Sequence, residues 1–203
     1  MDDNSPTTIL AEIPAATAYE AAGKCGDVAP DIRLMTPGLK LAGPALTVRC
    51  MPGDMTAVVR AIDQSKPGDV LVIDAGGTSR STIFGGTSAI AAKTRGIAGV
   101  VTNGAVRDVD ELIELELPVF AKTASVRGTV KSHAGWLNLP IALGDAVIAP
   151  GDYLIGDSDG VVVLPATRLE EITANARTQR RNELEKDSRA RAGEPLARII
   201  GID

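Results

Sequence analysis

Apolar and polar positions follow one another along this chain in blocks that predict strands alternating with helices. Residues 70–73 and 99–101 are short, continuous apolar runs, and each ends abruptly in small or polar residues. Such runs predict strands that are buried on both faces of a sheet. Ligands of open α/β sheets bind beyond the carboxyl ends of these strands. The residues directly past the two strand ends therefore form a candidate site: Asp74, Gly76, Gly77, Asn103, Gly104, Arg107 and Asp108.

The pattern around these strands predicts the remaining elements. Residues 9–25 are rich in alanine and are predicted to be helical, and Asp54 is the expected N-cap of a helix that continues through residue 65. Further helices are predicted at residues 87–94 and 110–115, and a short strand at residues 118–120. The chain then becomes rich in predicted strands, at residues 138–142, 146–148, 152–155 and 160–164. This order predicts a mixed α/β fold with helices on one side of the sheet.

The last predicted element is a long, mostly charged helix. Thr167 and Glu170 have the spacing of a capping box, and Gly193 follows the expected last residue, Ala192. Because its apolar stripe is thin, we expect this helix to be either a solvated appendage or an arm that packs on a neighbouring subunit, and we favour the arm. The chain is therefore predicted to consist of an α/β domain at residues 1–166 and a C-terminal helix and tail at residues 167–203.

Composition narrows the class of protein. The chain has 203 residues, of which 44% are hydrophobic but only 2% aromatic, so a single domain with an aliphatic core is expected. The net charge of −5 disfavours nucleic-acid binding. There is no apolar stretch of membrane-spanning length and no signal-peptide pattern, so a soluble, cytoplasmic protein without a membrane partner is expected. The chain has one histidine, His133, so a metal site here would need oxygen ligands.

Several motifs resemble the RraA-like family. They are GDVLVID, the following GG loop, AAKTRGIAGVV, NGAVRD, LPVFAK, GTVK at residues 128–131 and PGDYLIGDSDGVVVLP at residues 150–165. This family contains the regulators of ribonuclease E activity and the class II 4-hydroxy-4-methyl-2-oxoglutarate aldolases, and the resemblance covers residues 43–193. It implies the swivelling β/β/α (RraA-like) fold with a C-terminal helical arm. It also implies homotrimers or homohexamers with active sites between subunits.

The resemblance implies a role for particular residues. Arg107 would hold the carboxylate of a 2-oxo acid, and Asp108 would bind Mg²⁺ or Mn²⁺. Lys131, inside the matching GTVK, corresponds to a family lysine of the site. Glu183, with Glu185 as the second choice, would reach the metal site of a neighbouring subunit. The glycine-rich loop would offer backbone N–H groups to the substrate, at Gly85, Gly86, Thr87 and Ser88.

Two positions depart from the family pattern. The aldolases carry an acid at the position of Gly86, and Asn103 replaces the aspartate of the common DGxxRD motif. Both changes are expected to remove negative charge near Asp108 and to weaken a divalent site. The long C-terminal helix favours the aldolases, because the ribonuclease regulators are shorter.

The expected function is that of a metal-dependent lyase. It would cleave a 4-hydroxy-2-oxo acid of the 4-hydroxy-4-methyl-2-oxoglutarate type to pyruvate, with a divalent metal as Lewis acid, and would decarboxylate oxaloacetate as a side activity. The alternative is a non-catalytic regulator that binds a ribonuclease. Methyl transfer to a quinone is rejected, since the sequence has no glycine-rich adenosylmethionine loop and no long apolar segment.

Each candidate residue also has a structural interpretation. Arg107 and Asp108 could form an ion pair at the start of a helix, Asp74 could close a turn, and Lys131 could be a solvated loop residue. Glu183 and Glu185 could lie on a solvated helix face. Turn formation is favoured over metal binding for three aspartates, Asp152, Asp157 and Asp159. Packing is favoured over catalysis for His133 and Trp136. Cys25 and Cys50 are expected to be ordinary buried thiols.

Overall fold

The computed structural model describes residues 5–77 and 79–202. Its helices are α1 (Pro6–Ala11), α2 (Ala15–Ala21), α3 (Thr56–Gln64), α4 (Gly86–Thr94), α5 (Val109–Glu114), α6 (Leu169–Arg191) and α7 (Leu196–Ile200). Its strands are β1 (Arg33–Leu34), β2 (Leu41–Arg49), β3 (Val70–Asp74), β4 (Thr82–Phe84), β5 (Gly99–Thr102), β6 (Ala105–Val106), β7 (Val119–Ala121), β8 (Thr123–Ala124), β9 (Trp136–Leu137), β10 (Ile141–Leu143), β11 (Ala146–Ile148), β12 (Tyr153–Asp157) and β13 (Gly160–Leu164).

The largest sheet has the strand order β1-β7-β5-β3-β2-β12-β13, with β9 paired to the end of β2. Strands β2, β3, β5 and β7 are parallel to one another, whereas β1, β9, β12 and β13 join antiparallel. The two strands predicted from the apolar runs are confirmed as β3 and β5. Because the parallel strands point the same way, their carboxyl ends meet at one edge of the sheet.

Both faces of this sheet are covered, which explains the continuous apolar runs. Leu71 and Ile73 point to the face packed by α3, α4 and α5. Val70 and Val72 point to the opposite face, where the β10–β11 hairpin contributes Leu143 and other aliphatic side chains. The core is therefore built almost wholly from aliphatic residues, as the composition predicts.

A separate apolar cluster joins the two ends of the chain. Helices α1 and α2 pack on β12 and β13 together with the first part of α6, whose Ile172 and Ala176 are buried. The N-terminal part of α6 is thus an ordinary packed helix of its own subunit. The expectation that the arm reaches a neighbouring subunit concerns the remainder of this helix and stays a prediction.

A small sheet positions the candidate site. Strands β4, β6 and β8 pair in parallel, in that order. Strand β4 runs directly into Gly85 and α4, and β6 runs directly into Arg107 and α5. These strands have two or three residues each and were not predicted, because so short a run has no recognisable period.

Three local predictions are wrong. The expected helix at residues 9–25 is two helices, since Pro14 has no N–H to donate and α2 begins after it. The expected strand at residues 138–142 starts later than predicted, because Asn138 has φ +56° and β10 begins only at Ile141. Thr167 lies in a 3-10 turn, and α6 begins at Leu169 without a side-chain cap, so the capping box does not form.

Within the described residues, no helix combines the length and the hydrophobicity needed to cross a bilayer.

Candidate active site

A cavity of about 380 Å³ lies between α3, α4 and the segment that follows β8. Most of the residues predicted to bind substrate line it together, although they come from three separate parts of the chain. The predicted residues in its wall are Gly85, Thr87, Ser88, Arg107 and Lys131. The structure therefore brings the two predicted cations and the glycine-rich loop to one place.

Arg107 and Asp108 lie in the turn between β6 and α5. Asp108 occupies the N-cap position of α5 with φ +57°, a left-handed conformation that aspartate tolerates better than most residues. Its side chain does not cap α5. Instead, Oδ2 accepts a hydrogen bond of 2.8 Å from the N–H of Gly86 and lies 3.3 Å from Nε of Arg107. The pair therefore connects the starts of two helices at the cavity, with the Arg107 side chain half exposed.

The N-terminus of α4 faces the same cavity. Gly85 precedes the helix in an extended conformation, and a Cβ atom there would lie 2.8 Å from both Cγ of Arg107 and Oδ2 of Asp108. Glycine is needed at this position because Arg107 and Asp108 approach the backbone so closely. The N–H groups of Thr87 and Ser88 belong to the first helical turn, so they have no intrahelical acceptor. Together with the helix dipole they favour an anion at this end of the cavity.

Gly86 lies behind the cavity wall, between two carboxylates. A Cβ atom on Gly86 would collide with Oε2 of Glu111 and would lie 3.2 Å from Oδ2 of Asp108. Glu111 is in the first turn of α5, three residues after Asp108. The space that a side chain at position 86 would need is therefore occupied by the carboxylate of Glu111, which belongs to another helix. Gly86 therefore has a second carboxylate nearby besides that of Asp108. The expectation that a divalent site here is weakened stays a prediction.

The oxygen donors at this position fit a hard divalent cation. Asp108 and Glu111 offer two carboxylates, and the part of the chain that the structure describes holds no cluster of three or more acidic, histidine or cysteine ligands. Mg²⁺ is commonly held by one or two carboxylates and completes its octahedron with water and substrate oxygens. The chain's own donors therefore suit a cation that binds together with an oxygen-rich substrate.

Lys131 is fixed by its neighbours in the chain. The N–H of Met55 donates to the carbonyl of Val130 at 3.2 Å, and the N–H of Val130 donates to the carbonyl of Gly53 at 2.9 Å. On the other side of Lys131, the N–H groups of Ser132 and His133 donate to Oδ2 of Asp54 at 2.6 and 2.9 Å. These contacts hold the lysine backbone against the start of α3.

Asp54 is a buried carboxylate that the sequence predicted only as a helix cap. Its Oδ1 accepts from the N–H of Thr56 at 2.8 Å, although α3 begins one residue later than expected, with Met55 in the N-cap position. Burial by itself raises the pKa of Asp54, but the N–H donors of Thr56, Ser132 and His133 outweigh it and hold the pKa well below its usual value. Asp54 therefore joins α3 to the segment that carries Lys131.

The other residues predicted past the strand ends lie beside a second cavity of about 460 Å³, which Asp74, Gly76, Gly77 and Trp136 line. Asn103 donates from Nδ2 to Oδ1 of Asp74 at 3.0 Å and accepts from the N–H of Ala75 at 2.7 Å. An aspartate at position 103 would lose this donor and face a like charge. Asn103 therefore links the end of β5 to the end of β3. Asp74 also accepts a hydrogen bond from the N–H of Gly76, within its own turn.

Several structural interpretations are confirmed and one is wrong. Asp152 accepts hydrogen bonds from the N–H groups of Ala149 and Ala166. Asp157 accepts them from the N–H groups of Asp159 and Ala15. Cys50 is buried, and burial first, then the charges of Asp74 and Asp54, raise the pKa of its thiol to about 12. Cys25, expected to be buried, is exposed, because it follows the end of α2 in a surface turn.

Glu183 lies outside this cavity in its own subunit. Its carboxylate accepts from Oγ1 of Thr17 at 2.8 Å and lies 3.3 Å from Nη1 of Arg180. Glu185 is exposed. The contribution of either residue to a neighbouring subunit's site stays a prediction.

Comparison with known proteins supplies the family. A family model described as RraA-like, Aldolase/RraA, matches residues 13–163. The chain belongs to the RraA-like family. A relative from Halalkalibacterium halodurans, provisionally named a 4-hydroxy-4-methyl-2-oxoglutarate aldolase, is 34% identical over 180 residues, which are 89% of this chain and 84% of the relative. The mixed α/β architecture described above is that of this family.

Two solved RraA structures are similar to the chain. The RNA-processing inhibitor RraA from Thermus thermophilis has a TM-score of 0.70 and 30% identity, covering 76% of this chain and 93% of its own. A Streptomyces coelicolor protein, described as an unusual member of the RNase ES inhibitor RraA family, has a TM-score of 0.81 and 27% identity, covering 94% of this chain and 100% of its own. A chain of nearly this length is therefore also described as a member of an RNase inhibitor family, so the length of the chain does not by itself favour an aldolase.

Proposed function

We propose that this RraA-like protein is a metal-dependent lyase that cleaves a 4-hydroxy-2-oxo acid to pyruvate and a second carbonyl compound. One observation carries the proposal. The Arg107 guanidinium, Lys131 and the unpaired N–H groups of α4 surround one cavity beside the carboxylates of Asp108 and Glu111. Such a site can hold the carboxylate of a 2-oxo acid and a divalent cation next to each other.

The positively charged residues and the N–H groups of the cavity would bind the substrate carboxylate. Arg107 would hold the substrate carboxylate by a bidentate contact, and the N–H groups of Thr87 and Ser88 would bind the same anion. Gly85 would allow this anion to approach the backbone closely. Lys131 would add a second positive charge at the site. Because these donors are already in place before substrate binds, they would stabilise negative charge without rearranging.

The metal would be held by oxygen donors. Asp108 and Glu111 are the ligands that this chain offers, and Glu183 of the partner subunit is the further ligand proposed from the family resemblance. When bound, Mg²⁺ or Mn²⁺ would act as a Lewis acid on the 2-oxo group. In the cleavage, the 4-hydroxyl loses its proton to water, the bond between C3 and C4 breaks, and C4 becomes a carbonyl. C3 then takes up a proton from water and becomes the methyl group of pyruvate.

The first experiment measures exchange of the pyruvate methyl protons in D₂O by NMR, with Mg²⁺, with Mn²⁺ and with a chelator. Pyruvate release from 4-hydroxy-4-methyl-2-oxoglutarate and from oxaloacetate is measured in parallel with a coupled dehydrogenase. Metal-dependent exchange is expected, and Arg107→Ala and Asp108→Ala are each expected to lower it by about 100-fold or more.

Glu114→Gln, an exposed change on the same helix as Glu111, serves as the matched control and is expected to behave as the wild type. Absence of exchange with every metal would rule out the lyase. Exchange that survives both Arg107→Ala and Asp108→Ala would show that the reaction occurs elsewhere on the protein.

Regulation of a ribonuclease is the second candidate function. It is favoured by the two solved relatives that are described as an RNA-processing inhibitor and a member of an RNase inhibitor family. Micromolar or tighter association with a purified RNase E-type ribonuclease, unchanged by Arg107→Ala, together with no proton exchange, would support this function over the lyase.

A further inference from the structure

The positive groups of the cavity all lie at one end of it. Arg107 lies beside Gly85 at the start of α4, and the backbone around Lys131 is bonded to Met55 at the start of α3. Both helices begin at this end and run away from it. Among the described residues that line the cavity, Arg107 and Lys131 are the cations. In the proposed lyase, the substrate carboxylate would therefore be bound where the two helices begin.

The rest of the cavity is an apolar groove between α3 and α4. Val59 and Ile62 lie on one face of α3, and Met55, the N-cap residue, precedes them at helical spacing; all three line the groove. Ala91 lines it from α4, and its small side chain leaves the space open. From Met55 to Ile62 the helix rises by about 10 Å, which gives the groove room for an alkyl chain.

Among the described residues that line it, the far end of the groove has an acidic side chain and no cation. Asp63 lines the cavity there, one residue after Ile62, and its Oδ1 lies 3.5 Å from Nη2 of Arg95. This ion pair joins the C-terminal ends of α3 and α4. A carboxylate placed in the groove would lose water to an apolar wall and would face Asp63.

We infer that the groove binds the apolar 4-substituent of a monocarboxylic 4-hydroxy-2-oxo acid, so that the second product is an apolar aldehyde or ketone. The inference rests on the proposed lyase function and specifies its substrate class. The groove continues directly from the carboxylate-binding end, which is why its occupant is assigned to the same substrate molecule. The atoms balance as in the cleavage above, and no oxidant or co-reactant is required.

The test compares kcat/KM for pyruvate release from 4-hydroxy-2-oxopentanoate, -hexanoate, -heptanoate and -octanoate, and from 4-hydroxy-4-methyl-2-oxoglutarate, with Mn²⁺ present. Each added methylene is expected to raise kcat/KM by up to about fourfold, because it removes apolar surface from water. The dicarboxylate is expected to be at least about tenfold poorer than the octanoate, because of its charge in the apolar groove.

Two variants change the groove in opposite ways. Ala91→Leu narrows it and should lower kcat/KM for the octanoate far more than for the pentanoate. Val59→Arg places a cation in the groove from a position that is 41% exposed, and should move the preference toward the dicarboxylate by at least about tenfold. Ile90→Leu, an exposed change on α4 outside the cavity wall, is the matched control and should alter no ratio.

Failure of this inference can be told apart from failure of the lyase itself. If pyruvate exchanges its methyl protons but kcat/KM is independent of chain length, or the dicarboxylate is preferred by the wild type, the groove is not an apolar subsite and the lyase stands. If exchange is also absent, both proposals fail. If kcat/KM still rises with the length of the alkyl chain in the Ala91→Leu variant, the groove assignment is also overturned.

Discussion

A side chain at position 86 would contact two carboxylates, those of Asp108 and Glu111. Substitution by alanine would place a methyl group where Oε2 of Glu111 now lies. Glu111 is an exposed side chain and can move away, so Gly86→Ala is expected to fold normally and to displace one carboxylate from Asp108. If Glu111 is a metal ligand, the affinity for Mn²⁺, measured by electron paramagnetic resonance, should fall by about 10- to 100-fold.

The Glu111→Gln variant turns this into a double-mutant cycle. Glu111→Gln alone should weaken Mn²⁺ by a similar factor, and the double variant should be no weaker than either single one, because both changes remove the same ligand. Glu114→Gln on the same helix should leave Mn²⁺ affinity unchanged. Additive losses would mean instead that the new methyl group acts on Asp108 directly and not by displacing Glu111. An unchanged affinity in Glu111→Gln would mean that Glu111 has no part in metal binding.

At the scale of elements, one buried carboxylate joins α3 to the segment around Lys131. Asp54→Asn keeps the size of the side chain but removes the charge that accepts three backbone N–H groups. The free energy of unfolding at pH 7 is expected to fall by about 1–3 kcal/mol. The KM for a 2-oxo acid substrate should rise, since Lys131 is held less firmly. Urea denaturation and substrate titration measure the two effects.

The pH dependence of this loss has a definite sign. Because the pKa of Asp54 is lower in the folded protein than in the unfolded chain, its stabilising effect is present above about pH 4 and is lost as the pH falls below that value. The difference in stability between wild type and Asp54→Asn should therefore shrink between pH 7 and pH 3. Asp63→Asn, which alters an exposed ion pair, should change stability little at either pH. A difference that does not depend on pH would contradict the role of the Asp54 charge.

Elements with a clear periodicity were predictable from the sequence, and contacts between distant elements were not. Strands β3 and β5 follow from their apolar runs, and Arg107, Lys131 and the glycine loop follow from motifs. The approach of Glu111 to Gly86 depends on how α5 packs on α4, which no local pattern encodes. Asp54 was recognised only as a helix cap, since its bonds to Ser132 and His133 join residues that lie far apart in the chain. At Thr167 the error is of the opposite kind. The spacing of a capping box is present in the sequence, but the chain forms a 3-10 turn there and the box does not form.

At the scale of the whole molecule, the C-terminal region leaves apolar side chains uncovered. Leu184 on α6 and Leu196 and Ile200 on α7 are each about half exposed or more. The first part of α6 is packed in its own subunit, whereas these residues lie on its last turns and on the helix that follows. This distribution is the one expected if the arm contacts a neighbouring subunit in a trimer or hexamer.

Complementation between subunits tests that arrangement together with the proposed role of Glu183. If each site combines Arg107 of one subunit with Glu183 of the next, Arg107→Ala and Glu183→Gln homo-oligomers should each have little activity. Subunits mixed at equal ratio and reassembled should regain about a quarter of the wild-type activity, because one site in four then has both residues intact in a closed ring. Glu185→Gln tests the second choice of ligand: if it is active alone, the assignment to Glu183 stands. Glu170→Gln, an exposed change in the first turn of α6, is the matched control and should be active alone. If mixing restores nothing while Glu183→Gln only lowers thermal stability, the glutamate acts within its own subunit through Thr17, and the metal site is completed without it.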